Sequence, residues 1–295
     1  MTTRQFLTLM KRALSAWSDD YAPSMGAALS YYTLFSITPM LVIVIAIAGF
    51  FFGDDAVRGE IFMQLNGLLG AEGASAVEQM LQSTNKPAEG AVAAVISIGV
   101  LILGATTVLG ELQNDLDRIW RAPSVTRRGG VRGFARSRLL SIVTILGIAF
   151  ILVVSLVVSA VLAAVGKWWG AWFGGWELLA HVLDLFASFA LMTVLFALIY
   201  KIVPSVHIQW HDVWVGAAVT SMLFAIGKVL IGLYLGRSGI TSGFGAAGSL
   251  VLLMAWVYYS AQIFLIGAEF TWVYAHEYGS RRGGGKPQPA PVRAS

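Results

Sequence analysis

Five charged residues fall where charge is costly, inside or at the ends of long apolar stretches: Glu111, Asp115, Asp184, Lys228 and Glu269. A charge at the centre of a bilayer costs roughly 2.5–3.5 kcal/mol on insertion scales, so each needs a partner or a task. Asp184 lies about six residues into one apolar stretch and Lys228 about eight from the outer end of the next, which puts both roughly 10 Å below the same surface. They could pair across a helix interface, as a structural ion pair or as part of a polar path, and either reading requires both to face inward. Glu111 and Asp115 are one turn apart at the inner end of another stretch, and Glu269 sits at a similar depth. These carboxylates could gather near Arg118, Arg121 and Lys201 as a gate, a proton site or a headgroup vestibule. The plainer alternative is helix-end charge satisfied by snorkelling basic side chains.

Other constellations are weaker. His207 and His211 have the i, i+4 spacing that can set two imidazoles on a metal, with Asp212 beside them, but no third ligand is evident and Pro204 works against a helix there. No metal or other cofactor is expected. Gly239 to Ser249 is glycine-rich and opens the last apolar stretch, so Gly243, Gly245 and Ser249 could meet an anion or lipid headgroup at a helix N-terminus. Close helix packing explains the same residues, since Gly245 with Ser249 and Gly232 with Gly236 are small-xxx-small pairs. No Lys-Ser/Thr follows these glycines in phosphate-loop spacing. Cysteine is absent, and no catalytic triad, nucleotide fingerprint or zinc-protease motif occurs.

The elements that position these groups follow from composition. Of 295 residues, 57% are hydrophobic and 12% charged, and the mean hydropathy is +0.73. A soluble domain carries roughly a quarter charged residues, so much of this chain must have lipid as its solvent. The expected fold is all-α, a polytopic membrane protein with about six transmembrane helices and short amphipathic interfacial helices. The pattern divides the chain into an amphipathic helix over 1–20, a transmembrane domain over 21–278 and a disordered tail over 279–295. Spans are expected near 24–52, 88–110, 139–165, 178–203, 213–235 and 244–272. Pro39 should kink the first. Between 54 and 84 the apolar residues keep to one side, and Gly70-Ala71-Glu72-Gly73 suggests a break between two short interfacial helices. The first apolar stretch is too long for a cleavable signal.

Lysine and arginine set the orientation. Arg4, Lys11 and Arg12, the connector holding Arg127, Arg128, Arg132, Arg136 and Arg138, and the tail's Arg281, Arg282, Lys286 and Arg293 share one side if the spans number six. That side should be the cytoplasm, with both termini inside. Trp168, Trp169, Trp172 and Trp176 crowd an outer connector, as an interfacial aromatic belt would.

The segment Leu29-Ser30-Tyr31-Tyr32-Thr33-Leu34-Phe35-Ser36-Ile37-Thr38-Pro39 resembles the first-span signature of the YihY/BrkB membrane proteins. So does Phe244-Gly245-Ala246-Ala247-Gly248-Ser249, running on through Trp256-Val257-Tyr258 to Gly267-Ala268-Glu269. Leu112 to Arg121 is similar to the family's extension of the second span, with Asp117 where an asparagine would be expected. The resemblance implies a bacterial inner-membrane protein and a link, in some members, to movement of lipid or lipopolysaccharide precursors. It also carries an old ribonuclease label, for which no cytoplasmic metal-carboxylate or histidine site is recognisable here.

Three functions therefore stand. The leading expectation is transport of lipid or lipid-linked envelope precursors, not enzymatic, with the five charged residues lining a polar path. The second is a structural or scaffolding membrane protein, and the third an ion or small-solute channel. Membrane lipids are the expected partners, with anionic headgroups at the Arg127–Arg138 connector and no nucleic acid. A homo-oligomer is compatible with all three.

Overall fold

The computed structural model describes residues 3–84, 91–122, 176–237 and 248–282. Their regular structure is helical throughout, with no strand among the described residues. The helices are α1 (Thr3–Asp19), α2 (Ala22–Phe52), α3 (Asp54–Thr84), α4 (Ala91–Ile119), α5 (Trp176–Ile202), α6 (Trp210–Arg237) and α7 (Gly248–Glu277). Three are long and apolar enough to cross a membrane, over Ala22–Phe50, Trp210–Ile231 and Leu250–Glu277, and Phe186–Ile202 is a shorter apolar helix. Their outward faces carry large apolar side chains such as Phe35, Phe50, Val229 and Leu230, all more than half exposed. Water would not tolerate so much apolar surface; lipid does. The expected span at 139–165 and most of the Trp168–Trp176 cluster fall outside the described residues, as does the tail beyond Arg282.

α7 is the hub. It packs against α1, α2, α3, α4 and α6, while α5 lies on α6 and α3 along α2. One core joins Leu29, Trp120, Tyr200 and Leu265; a second joins Val44, Val77 and Leu253; a third sets Leu9 and Ala13 of α1 against Phe270 and Val273 of α7. The apolar stripe of α1 is thus used inside the molecule, although Leu7 and Leu14 remain exposed on its other side.

Local sequence explains the joints. Tyr21, with φ of 59°, turns the chain between α1 and α2, and a proline in the first turn of α2 presets its backbone. Gly53, at φ 86°, closes α2 and donates its N–H to Gly49 O, and Asp54 and Asp55 then face the positive end of α3. Pro39 of α2 rests on Gly104 of α4, where a Cβ would come within 2.9 Å of the proline ring. α3 corrects one expectation: it is a single helix of 31 residues, not two short ones. Each glycine costs roughly 1 kcal/mol in a helix interior. Burial of Ala74, Val77 and Leu81, the last two packed within the α2–α3 core, offsets that cost.

Candidate functional site

The working region sits where the α1–α2 joint and the end of α4 meet the C-terminal half of α7. α4 stops in a Schellman turn: Ala122 N–H donates to Asp117 O and Arg121 N–H to Arg118 O. The left-handed position in such a turn usually belongs to glycine, yet Arg121 occupies it at φ 48°. Its side chain accounts for the choice. The guanidinium lies 5.2 Å from the Trp272 ring centre, and Nη2 is 3.8 Å from Asp20 Oδ2.

Between these groups lies Glu269. It is fully buried, and neither carboxyl oxygen has a hydrogen-bond donor. Its charged neighbours are Asp20, Arg121 and Asp19. Asp20 Oδ2 is buried and likewise lacks a donor. Asp20, the last residue before the Tyr21 turn, was not anticipated from sequence, because nothing in α1 hints that its end folds against α7.

α6 and α7 hold Glu269 in place through a reciprocal Gly-x-x-x-Thr lock. Gly216 and Thr220 lie one turn apart on α6, as do Gly267 and Thr271 on α7. A Cβ on Gly216 would fall on Thr271 Oγ1, and one on Gly267 on Thr220 Oγ1. Each threonine donates to the glycine carbonyl of its own helix, at 2.8 Å for Thr220 and 2.7 Å for Thr271. Tyr200 of α5 closes the lock, donating to Phe264 O at 2.8 Å, with Thr220 Oγ1 3.1 Å away. The repeated Gly-x-x-x-Thr spacing is present in the sequence beside the small-xxx-small pairs at Gly232, Gly236, Gly245 and Ser249.

The other expected groups separate. Asp115 is buried on α4 with Oδ2 lacking a donor. Burial, and then the charge of Glu111, push its carboxyl up to about 7, with Arg118 opposing. Its charged neighbours, Glu111 and Arg118, differ from those of Glu269. Arg118 is exposed, its guanidinium 5.7 Å from the Tyr21 ring centre. Lys201 donates to Ile208 O and lies 5.4 Å from the Trp210 ring centre. Lys228 is exposed on α6, so it does not face inward as expected. Asp184 belongs to α5, but its side chain falls outside the described residues, as do Gly243, Gly245, the side chain of Ser249 and the Arg127–Arg138 connector.

Two further carboxylates hold the chain ends of this region. Asp117 accepts from the backbone N–H and the hydroxyl of Ser205, both at 2.6 Å, tying α4 to the connector after α5. Buried Asp212 accepts from Ser280, and Arg281 donates to His207 O while its guanidinium lies 5.2 Å from the Trp120 ring centre. His207 and His211 are exposed, and among the described residues no group of three or more metal-type side chains is assembled.

The family model described as virulence factor BrkB matches residues 13–291. The chain belongs to this family. A membrane protein of Tolumonas auensis is 28% identical over 277 residues, covering 92% of this chain and 85% of its own. A membrane protein of Pseudomonas aeruginosa is 28% identical over 257 residues, covering 84% of this chain but only 58% of its own length. One from Psychromonas ingrahamii is 27% identical over 252 residues, covering 82% of this chain and 79% of its own. All three are described only as UPF0761 membrane proteins. No solved structure matches the chain.

Proposed function

We propose that this membrane protein takes part in moving lipid or lipid-linked envelope precursors across the bacterial inner membrane, with about six spans and both termini in the cytoplasm. The observation that carries the reading is Glu269: a fully buried carboxyl without a donor, opposite Arg121 and Asp20. A bundle built only for strength would fill that place with an apolar side chain, because burying a carboxyl without hydrogen bonds costs several kcal/mol. The Arg121 side chain is about a third exposed, so an anionic headgroup can reach the same guanidinium from water. Headgroups would be drawn to the site by the Arg127–Arg138 connector on the same side. No enzymatic step is assigned.

Asp117 and Asp212 favour the structural reading, since both carboxylates fasten connector residues, Ser205 and Ser280. Transbilayer movement of a fluorescent phospholipid in liposomes holding the purified protein separates the two. Movement above that of empty liposomes supports transport. None, with or without an imposed pH gradient, leaves the structural role.

A further inference from the structure

We propose that the outward face of α1 is a docking surface for the headgroup layer of an anionic phospholipid leaflet. Along this helix Arg4, Leu7, Lys11, Leu14 and Ser18 recur at alternating steps of three and four residues, so they form one stripe. All of them are exposed, and Tyr21, exposed in the turn that follows, extends the line. The opposite face is used inside the protein: Leu9 and Ala13 are fully buried with Phe270 and Val273, and the Phe6 and Phe270 ring centres lie 5.8 Å apart. α1 thus carries leucines on two sides, and among the described residues only one side is covered.

The chemistry of the exposed stripe selects its occupant. Arg4 and Lys11 form no ion pair among the described residues, whereas Arg12, off the stripe, is bound to Glu277 of α7. Asp19, in the last turn, is the only acidic residue of α1. The Thr8 hydroxyl donates to Arg4 O at 2.9 Å, so the polar residue beside Leu7 makes little demand on water. Leucines between unpaired cations suit the boundary of acyl chains and anionic headgroups. Leu7 and Leu14 leave water there, while the long stems of Arg4 and Lys11 carry their charges to phosphate.

The position of α1 agrees. It lies at the end of the bundle where α2 begins and α7 finishes: Trp17 Nε1 donates to Gln262 Oε1 at 3.0 Å, and Gln262 Nε2 to Ala22 O at 3.4 Å. α6 begins at the same end, its Asp212 bonded to Ser280. Tyr21, Trp210, Trp214 and Tyr278 are all exposed there, as aromatic side chains at a membrane–water boundary are. A second copy of the chain would bring the same unpaired positive charges together, which opposes self-association through this face. The inference stands apart from lipid movement, because a purely structural bundle would seat α1 in the same way.

The chain has no cysteine, so a single spin label can be attached at Leu7→Cys or Leu14→Cys. In the full chain, in liposomes containing phosphatidylglycerol, both labels should collide more with oxygen, which concentrates in lipid, than with a neutral water-soluble nickel chelate. A label at Val229→Cys, on the exposed apolar face of α6, gives the lipid reference. Arg4→Glu with Lys11→Glu should lower the oxygen-to-chelate ratio at Leu14→Cys in these liposomes but not in phosphatidylcholine alone. Arg4→Gln with Lys11→Gln, the milder pair, should lower it part-way. Labels that meet mainly the chelate would place the stripe in water and overturn the proposal. So would labels that meet neither collider, which puts a protein segment over the stripe. Spin–spin broadening that fades on dilution with unlabelled protein would put a second copy there instead. An equal response in the two kinds of liposome, or none in either, would rule out the anionic leaflet as the occupant.

Discussion

If the α6–α7 lock is what fixes Glu269, adding one methyl group to its glycines should destabilise the protein in a pattern that only the partner threonine can repair. In Gly267→Ala the new Cβ would land on Thr220 Oγ1, 2.9 Å from Thr220 Cβ and 2.7 Å from the Tyr200 hydroxyl. Ordinary carbon contacts lie at 3.5–4 Å, so the helices must separate by several tenths of an ångström or the threonine must leave its rotamer. Overpacking of this kind costs about 1–3 kcal/mol. Gly216→Ala meets Thr271 Cβ at 2.7 Å and should cost a similar amount. Thr220→Ala alone loses the bond to Gly216 O, about 1 kcal/mol, but removes Oγ1, the nearest atom to a methyl on Gly267, leaving the Cβ and the Tyr200 hydroxyl in place. The double variant Gly267→Ala/Thr220→Ala should therefore be more stable than the sum of its singles by about 1 kcal/mol or more, whereas Gly267→Ala/Thr271→Ala should show little such recovery. Reversible unfolding in mixed micelles, followed by circular dichroism, measures the parent, the four singles including Thr271→Ala, and the two doubles. Equal coupling in the two double variants, or none in either, would refute the lock.

The buried Asp115 carboxyl, raised from 3.8 to about 7, is still protonated in the folded protein over a range where the unfolded chain has already ionised. Stability should accordingly fall as pH rises from about 4 to 7 and level off above, by on the order of 3 kcal/mol. Asp115→Asn should flatten that slope in a pH series of unfolding curves. At Arg121 the left-handed backbone makes glycine the better replacement: Arg121→Gly should be more stable than Arg121→Ala by about 1 kcal/mol, although both lose the contacts to Asp20 and Trp272. Asp117→Ala should release the connector after α5, raising hydrogen exchange at Ser205 and lowering stability by about 1–3 kcal/mol.

The membrane-protein class was legible because it rests on composition and on runs of apolar residues, which no tertiary contact can disguise. The helices at 22–52, 210–237 and 248–277 coincide with expected apolar stretches for that reason. The break expected at Gly70–Gly73 failed because local propensity is weak against packing, here the apolar contacts α3 makes along α2. For the site, Glu269 and Arg121 were legible as charges out of place. Asp20 was not, since its role depends on the Tyr21 turn carrying it to α7, a non-local contact without a local signature. Lys228 misled because depth along a helix says nothing about which way a side chain faces.

The central claim, that the buried carboxyl of Glu269 works in lipid movement, is tested most directly by transbilayer phospholipid flux in liposomes reconstituted with the parent or with Glu269→Gln, each checked for helical content. The account predicts flux by the parent that falls at least tenfold in a folded Glu269→Gln, a loss of about 1.4 kcal/mol or more in barrier stabilisation. Equal flux from both proteins, or flux no greater than that of empty liposomes, would contradict it.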